Sequence, residues 1–490
     1  MTTDYSRVVK AAAASGTDDD GVARRLEKTP VHITCDSSAQ LPTLTLLLAN
    51  LRRLPIVIHL SPINQSPIGR ADLDALLECA AAIDPDRPVL LNQPPEDALR
   101  LHVGMGTTEA DISAIPHGHG TRIRRNGHRF PGPPMQASGL GRVLTAAMLT
   151  AEAFKTIIGV HPSRHRLVHS LDFNPVTLQA DGPMLAFDII RDVALIGVGA
   201  IGSAIGLILR ESGIEGALTA VDPEQLEPPN VTTYSLGSQQ DAATGIPKTE
   251  LLSQQLPHID VLRVEGTAQD FIAKIDAGDA PMPTMVLSAV DSIQARHESA
   301  KIYADITLDG STGGLAGTTI GLAEAVPEGP CLRCYYPSVP QHLRPSPEEQ
   351  LSAMTGLDIT VLADGNRTLS NDDLRGLSPT GHQLLGRHVG KPICGLARSL
   401  GLLASEDSYR PSAIFASQQA AALVVGAFIL RNNSNSMALR DVEYDTLFGP
   451  LVGMTAQRHP ITGCTCRQDG TMIQRVRRSR KSLQALNTRG

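Results

Sequence analysis

The chain has 490 residues, with 43 lysines and arginines against 50 aspartates and glutamates, which gives a formal net charge of −7. This length suggests two to four domains, and a hydrophobic content of 42% excludes wholesale disorder. The mild acidity, the 3% aromatic content and the absence of tryptophan give no reason to expect nucleic acid or an anionic membrane as a partner. We therefore expect a soluble globular protein.

The N-terminal residues include no apolar run long enough for a signal peptide, so we expect a cytoplasmic protein. The best candidate for a membrane span, residues 413–430, is interrupted by polar residues at 417–419 and alternates small with branched side chains. This pattern predicts a buried helix. Residues 1–28 are polar and charged, and we expect them to form a flexible N-terminus that is loose or helical.

Strand and helix patterns alternate over residues 29–165. VHITC at 31–35 and LPIVIHL at 54–60 predict strands on either side of a helical stretch, which favours a parallel α/β layer. This segment has no glycine-rich phosphate loop. An Ala-rich helix predicted over 139–158 has a counterpart at 413–430, which indicates two halves of similar layout.

A glycine-rich turn follows the apolar strand at 193–196 and begins a helix. Gly197, Gly199 and Gly202 form the motif G-x-G-x-x-G, and Ala200 and Ile201 lie between its second and third glycines. The first glycine allows a tight turn, the second lets a phosphate approach the backbone, and the third lets helix and strand pack closely. Asp222 ends the next strand, where a carboxylate can accept hydrogen bonds from ribose hydroxyls. The sequence thus predicts a nucleotide site, the alternative being a glycine turn that only packs.

Three further polar residues favour ATP over a dinucleotide at this loop. Asn230 follows Asp222 by eight residues, Lys248 lies in TGIPKTELL, and Asp291 ends the strand pattern MVLSAVD. An adenylating site needs a cation to neutralise phosphate charge and a carboxylate to hold Mg²⁺ against the leaving pyrophosphate. A hydride-transferring enzyme has no general need of this pair. Taken singly, Lys248 could be a surface lysine and Asp291 a helix N-cap.

The order and spacing of these motifs resemble the ThiF/MoeB family of activating enzymes for ubiquitin-like proteins. The resemblance covers residues 190–335 and rests on GVGAIG, AVDPEQLEPPN, IPKTELL, SAVDSIQARHES and DGSTGG. It implies adenylation of the C-terminal carboxylate of a small protein with Mg-ATP. It also implies these contacts: phosphates at the Gly199 loop, Asn230 and Lys248, ribose at Asp222, and magnesium at Asp291.

One position departs from the family pattern. The family usually has an arginine three residues after the asparagine, where this chain has Thr233. Loss of a charge-assisted phosphate contact weakens transition-state stabilisation unless another arginine takes its place. Arg296, or Arg142 from the N-terminal half, is the candidate that the sequence offers for this role. The alternative is a degenerate, inactive enzyme.

Four of the seven cysteines form two close pairs. Cys331 and Cys334 form C-x-x-C, and Cys464 and Cys466 form C-x-C. Four thiolates grouped in this way can hold a structural zinc ion that ties the end of the domain back to its middle. Many relatives in the resembled family carry a four-cysteine zinc site in these places. The alternative is a set of redox-active or merely buried cysteines.

Cys394 stands apart from these pairs. It follows a Pro-rich and polar stretch at 336–390 that we expect to form a mobile insert. A cysteine there could attack the acyl-adenylate and form a thioester or persulfide link. A simple buried cysteine is the equally open alternative.

The sequence as a whole predicts an α/β protein. We interpret residues 29–165 as a degenerate adenylation-like or recognition half. A Rossmann-like ATP-binding adenylation domain with a parallel-rich sheet, residues 185–470, follows it, and a basic tail at 471–490 is expected in solvent. The resemblance extends to tandem bacterial activating enzymes, in which an inactive half supplies the partner surface. Whether two chains also form a homodimer stays open.

The expected reaction is ATP-dependent adenylation of the C-terminal carboxylate of a ubiquitin-like or sulfur-carrier protein, or of a peptide. Transfer to a cysteine could follow it. One alternative is an NAD(P)-dependent oxidoreductase, in which Lys248, Asp291 and the cysteine pairs would have no role. The other is a non-catalytic scaffold that binds nucleotide or a ubiquitin-like protein, a reading that Thr233 favours.

Overall fold

The structure is a computed structural model that describes most of the chain. The described residues are 3–15, 19–61, 69–105, 109–159, 167–314, 316–337, 347–363, 367–386, 388–390, 393, 411–434 and 438–487. Two compact units are present, one of residues 1–336 with 412–490 and the other of residues 337–411. The first predicted half therefore belongs to the first unit, and so does the second half except for residues 337–411.

Two short helices begin the described chain, α1 (Ser6–Ser15) and α2 (Asp19–Lys28). Val8 in the first helix, and Val22 and Leu26 in the second, are buried in the main hydrophobic core. The four-residue spacing of Val22 and Leu26 places both on one helix face, which can pack inward while the charged residues face solvent. The N-terminus was expected to be loose or helical, and the structure shows that it is helical. Its two helices pack against the core, so the expected flexibility is not found.

The first half forms a six-stranded sheet with three helices. Its strands are β1 (Pro30–Cys35), β2 (Val57–Leu60), β3 (Leu99–Val103), β4 (Ile112–His117), β5 (Gly120–Arg125) and β6 (Ser170–Phe173). Its helices are α3 (Leu41–Arg52), α4 (Arg70–Ile83) and α5 (Gly139–Ile158). The spatial order is β2-β1-β3-β4-β5-β6. Strands β1 to β4 are parallel, and β5 runs antiparallel to both of its neighbours, β4 and β6. The sheet runs on to Phe173, beyond the predicted boundary at 165.

The second half forms an eight-stranded sheet. Its strands are β7 (Ile189–Ile196), β8 (Glu215–Val221), β9 (Ile259–Val264), β10 (Met285–Ser288), β11 (Ile306–Gly313), β12 (Thr319–Ala325), β13 (Asp441–Asp445) and β14 (Met454–Ala456). The helices up to residue 336 are α6 (Ala200–Glu211), α7 (Gln239–Thr244), α8 (Lys248–Gln255), α9 (Ala268–Ala277), α10 (Ile293–Ser299) and α11 (Leu332–Tyr335). The order is β14-β13-β12-β11-β10-β7-β8-β9, in which β7 to β11 are parallel. The predicted α/β class with parallel-rich sheets is confirmed.

The second unit, residues 337–411, has a small core of its own. Its described part contains the helices α12 (Pro347–Thr355), α13 (Ile359–Ala363) and α14 (Pro379–Gly386). The buried residues that pack together here are Leu351, Leu357, Leu362, Leu369, Leu374, Leu384, Leu385 and Ile393. A solvated flexible segment buries no such cluster, so much of the insert expected at 336–390 is a folded helical unit.

The chain returns to the first unit through α15 (Ile414–Asn433), followed later by α16 (Thr465–Gln468) and α17 (Gly470–Asn487). The last helix occupies the predicted basic tail and is held by ion pairs. Arg480 bonds Asp276, with Nε and Oδ1 2.7 Å apart, and Lys481 bonds Asp305 at 2.8 Å. Arg477 also pairs with Asp305. The tail is therefore docked, because acidic residues on the domain surface neutralise its arginines.

The two sheets repeat one topology. Matching β1 with β7, β2 with β8, and β3 to β6 with β10 to β13 gives the same strand order and the same directions. The second sheet adds β9 and β14 at its edges. The Ala-rich helices α5 and α15 lie at equivalent places, each between the last two matched strands. The similar layout predicted from their composition is what the structure shows.

Helices α5 and α15 join the two halves in one core. They pack against each other, and the rings of Phe154 and Phe415 lie 5.1 Å apart between centroids. Within the described residues, α15 is the one helix with the length and hydropathy of a membrane span, and 89% of its most apolar window is buried inside the protein. Small residues let it approach its neighbours closely. Its burial agrees with the core helix predicted at 413–430.

Candidate functional site

The glycine turn between β7 and α6 is shaped by its first glycine. Gly197 has φ +88°, a conformation that L side chains rarely adopt. A Cβ at this position would lie 2.8 Å from the carbonyl oxygen of Ala289. The amide of Gly197 donates to Val221 at 2.8 Å, so the turn is bonded to the end of β8. The sequence needs glycine here for both reasons.

Gly199 faces open space at the start of α6. It is the N-cap residue, no side chain caps the helix, and a Cβ built on it would meet nothing within 4 Å. The first-turn amides of Ala200, Ile201 and Gly202 therefore lack a side-chain acceptor. Unpaired amides and the helix dipole together attract an anion. The turn can accept a phosphate group at this point.

We expect Gly199→Ala to weaken Mg-ATP binding about ten-fold, because its methyl group would occupy the space that a phosphate needs. The loss of fold stability should stay near 1 kcal/mol, the scale of an N-cap change. Calorimetric titration and thermal unfolding measure the two effects. Gly470→Ala, at a glycine whose Cβ would also meet open space, is the control. Equal ATP affinity in both variants would show that phosphate does not approach Gly199.

Asp222 is buried at the end of β8, where it is 7% exposed. Its carboxylate accepts from the amide of Val198 at 2.6 Å and from that of Glu224 at 2.8 Å. Burial raises the pKa of Asp222, while the charge of Lys248 and the two amides act against the rise. The residue thus ties the glycine turn to β8, and each carboxylate oxygen keeps a lone pair for a further donor.

Lys248 is not a surface lysine. It is the first residue of α8, is 4% exposed, and forms an ion pair with Glu224. Lysine is rarely buried to this extent unless a charge pairs with it. The fold has therefore placed a buried ammonium group beside Asp222, at the strand edge where the glycine turn lies.

Asp291 lies three residues beyond β10 and is exposed. The helix-cap alternative for it is wrong, because Ser292 is the N-cap of α10 and accepts from the amide of Ala295 at 3.1 Å. Among the described residues, the Asp291 carboxylate makes no hydrogen bond or ion pair. An exposed carboxylate of this kind suits a hard cation such as Mg²⁺.

These groups share one edge of the second sheet. The parallel strands β10, β7 and β8 are adjacent, and Asp291, Gly197 and Asp222 follow their carboxyl ends. Ligands of open α/β sheets bind in the crevice at this edge. The structure therefore brings the predicted nucleotide-binding residues to a single place.

Arg7 contacts both Asn230 and Thr233, the position at which the family pattern usually has an arginine. From α1 its Nη2 is 3.4 Å from Oδ1 of Asn230, and its Nη1 is 3.4 Å from Oγ1 of Thr233. No motif marks Arg7, and 223 residues separate it from Asn230 in the chain. The sequence missed it, since only tertiary packing brings α1 to this loop.

The two arginines that the sequence offered for this role are engaged elsewhere. Arg296 is buried, with Nε 2.9 Å from Oδ2 of Asp309 and its guanidinium 4.6 Å from the ring centre of Tyr336. Arg142 donates to the backbone carbonyls of Ala137 and Glu211. Each is held by its own partners, and none of its described hydrogen bonds reaches Asn230 or Thr233.

The equivalent turn in the first half carries an acid. Asp36 follows β1, the counterpart of β7, and its carboxylate lies 2.7 Å from Nε2 of His102 and accepts from the amide of Met105. Burial alone would raise the pKa of Asp36, but these hydrogen bonds outweigh it and the pKa is lowered. A carboxylate repels phosphate where the second half offers glycine. The first half therefore shares the topology of the second half but has an acid where the second half has its glycine turn.

The two cysteine pairs bring α11 and α16 together, because Cys331 and Cys464 are the N-cap residues of these helices and Cys334 and Cys466 lie within them. Their four Sγ atoms lie within 4.8 Å of one another, and the sulfurs of Cys331 with Cys464, and of Cys334 with Cys466, are 3.6 Å apart. A disulfide needs about 2.05 Å, whereas sulfurs about 2.3 Å from a tetrahedral zinc ion lie roughly 3.8 Å apart. Burial raises the pKa of Cys331 to about 11, a penalty that a bound cation removes. The cluster therefore fits zinc.

Cys394 lies outside the described residues, so its role stays a prediction.

Comparison with known proteins agrees with this fold. The ThiF family model matches residues 190–457, which is more than half of the chain. None of the curated proteins compared with the chain matches it. The solved structures similar to it include E. coli MccB with MccA-N7isoASN, at 14% identity over 73% of this chain and 97% of that one, with a TM-score of 0.37. E. coli MccB with ATP has the same identity and coverage and a TM-score of 0.33.

These TM-scores support no inference about shared residues or substrates, so the family match alone identifies the chain. It covers the glycine turn and the first cysteine pair, Cys331 and Cys334, and it ends before Cys464 and Cys466. The chain belongs to the ThiF family.

Proposed function

We propose that this protein uses ATP to adenylate the C-terminal carboxylate of a ubiquitin-like or sulfur-carrier protein, or of a peptide. Membership of the ThiF family supports an adenylating enzyme that acts on a peptide or protein carboxylate. The observation that carries the proposal is the buried ammonium of Lys248 at the edge of the sheet where Gly199 faces open space. A dehydrogenase has no general use for this cation.

In the proposed reaction, a carboxylate oxygen of the substrate attacks the α-phosphorus of ATP. A new oxygen–phosphorus bond forms, the bond to the β-phosphate oxygen breaks, and pyrophosphate leaves with that electron pair. No proton transfer is needed, because the nucleophile is already an anion. Negative charge grows on the leaving pyrophosphate, and the cations Lys248 and Arg7 are the groups that would stabilise it.

Asn230, Lys248 and the first turn of α6 would hold the phosphates, and Asp222 the ribose. Asp291 would hold Mg²⁺, which supplies charge neutralisation at the phosphate oxygens. Its carboxylate is exposed and makes no hydrogen bond or ion pair among the described residues, and both features support this assignment.

The four-cysteine cluster would hold a structural Zn²⁺. Four protein ligands complete a tetrahedral shell, so no coordination position is left for substrate. The proposed role of this ion is to join α16 to α11. By doing so it would also fix the start of the docked helix α17. The proposed acceptor of the acyl-adenylate is Cys394, and an external thiol or amine is the alternative.

We expect the protein to bind Mg-ATP more tightly than ATP in excess EDTA, and we expect this difference to disappear in Asp291→Asn, because the amide is neutral and a weaker ligand. Calorimetric titrations with ATP, Mg-ATP and NAD⁺ test this. Asp279→Asn, which changes an exposed aspartate on the loop after α9, is the matched control.

An unchanged magnesium effect in Asp291→Asn would remove Asp291 from the proposal. Binding of NAD⁺ without any binding of ATP would overturn the proposed function and favour the oxidoreductase.

A further inference from the structure

Arg53 is a buried arginine of the first half that bonds the backbone of the second half. It follows the last residue of α3 and is 3% exposed. Its donors reach four carbonyl oxygens of residues 231–237, which we name the crossover segment: Val231 (3.1 Å), Tyr234 (2.9 Å), Ser235 (3.4 Å) and Gly237 (3.3 Å). Its remaining contact, Nη1 to the carbonyl of Ala49 at 2.9 Å, fixes it to its own helix.

No described acid pairs with this guanidinium, so carbonyl dipoles alone compensate its charge. Burial lowers its pKa to about 10, which leaves it protonated at neutral pH with all five donors present. The planar fork of arginine can reach several carbonyls that diverge in direction, whereas the ammonium of lysine cannot. The crossover segment is thus gathered around one cation.

The crossover segment continues from Asn230, the residue that would contact phosphate. The carbonyl of Asn230 accepts from the amides of Thr233 and Tyr234, both at 2.9 Å. The carbonyl of Tyr234 then accepts from Arg53. One turn therefore connects the backbone of Asn230 to the guanidinium, and a shift of the segment would move Asn230.

The crossover segment also bonds to α6, the helix that begins at the glycine turn. The amide of Ser235 donates to Oγ of Ser203 at 3.0 Å, and that hydroxyl donates to the carbonyl of Ala200 at 3.1 Å. Ala200 begins α6, immediately after the open Gly199. The path from Arg53 thus reaches the phosphate turn as well as Asn230.

Arg52, the preceding residue, is an internal comparison. It is equally buried at 0% exposure, but it donates to carbonyls of the first half: Arg87 (3.0 Å), Leu54 (3.1 Å) and Ile56 (2.7 Å). Both arginines organise backbone carbonyls. Only Arg53 does so in the half that carries the glycine turn.

We propose that Arg53 is a positioning residue through which the first half sets the crossover segment, and with it Asn230, for nucleotide binding. The inference rests on the proposed ATP site. It gives the half without a phosphate loop a specific function in the chemistry of the other half, beyond sharing its core.

The test compares Arg53→Met with Arg52→Met in the full-length protein. Calorimetry measures Mg-ATP affinity at a temperature where unfolding curves show each variant folded, and hydrogen exchange with mass spectrometry follows the amides of both halves, including residues 228–239. We expect Arg53→Met to weaken Mg-ATP binding at least about ten-fold and to speed exchange in residues 228–239. Arg52→Met should be destabilised yet bind Mg-ATP as the wild type does, with faster exchange confined to its own half.

If Arg53→Met does not fold, Arg53→Lys takes its place in the test. We expect Arg53→Lys to weaken Mg-ATP binding as well, but by a smaller factor. Mg-ATP affinity within two-fold of wild type in the Arg53 variant would overturn the proposal and leave the proposed function standing. Equal weakening by Arg52→Met would also overturn it, since that result would indicate a general effect of stability. A wild-type protein that binds no Mg-ATP would overturn the proposed function itself and this inference with it.

Discussion

Replacement of Lys248 by alanine should weaken Mg-ATP binding by about 1.5–3 kcal/mol, or roughly 10- to 150-fold, because a charge-assisted contact with phosphate is lost. The ammonium is buried at the edge of the sheet, so water cannot replace it as readily as it would replace an exposed lysine. Calorimetric titration measures the affinity. Once a carboxylate substrate is in hand, ATP–pyrophosphate exchange should fall by a factor of about 10² or more.

Lys274→Ala, which removes an exposed lysine of α9, controls for the general loss of one positive charge. If both lysine variants bind Mg-ATP equally, Lys248 serves the fold and makes no contact with the nucleotide.

The pH dependence of stability shows how much of the Lys248→Ala effect is structural. Burial raises the pKa of Asp222, and Lys248 is the main charge that opposes this rise. A carboxyl whose folded pKa is raised stabilises the fold below its unfolded pKa of about 3.9, and this contribution is lost as the pH rises through the folded value. Removal of Lys248 raises the folded pKa of Asp222 further, so the variant should lose more stability at pH 7 than at pH 4. An equal loss at both pH values would show that the two charges are not coupled.

Replacement of Cys466 by serine should abolish zinc binding at the proposed site and destabilise the first unit by on the order of 4 kcal/mol, as loss of a structural metal typically does. Serine is a poor zinc ligand, and the three remaining thiols would stay crowded and partly buried without a cation. Metal analysis of protein expressed with added zinc gives the stoichiometry, and urea unfolding gives the stability.

Cys79→Ser is the matched control, because Cys79 lies in α4 outside the cluster. It should keep one zinc ion per chain and nearly the wild-type stability. Wild-type protein without zinc, or Cys466→Ser with unchanged stability, would show that the four cysteines pack without a metal.

Features encoded within a few neighbouring residues could be predicted from the sequence. The glycine turn at 197–202, the acid that ends β8, and the cysteine pairs depend on spacings of up to about twenty residues, within which strand and helix geometry dictates where side chains lie. The repeated layout was also visible, because α5 and α15 must both be rich in small residues to pack closely at equivalent places.

Features that depend on distant segments could not be predicted in this way. Arg7 and Arg53 carry no motif, and both reach the loop of Asn230 from the opposite half of the fold. The N-terminus and the basic tail are docked because their apolar stripe and arginines find partners that composition cannot reveal, such as Asp276 and Asp305.

The sequence by itself determined the α/β class, the position of the glycine turn and the two cysteine pairs, since local chemistry and spacing are written in adjacent residues. Only the tertiary structure decided which arginine faces Asn230, how buried Lys248 is, and that the two halves share one core. These depend on charge and packing between residues hundreds of positions apart, and a position in the chain does not specify its partners until the chain has folded.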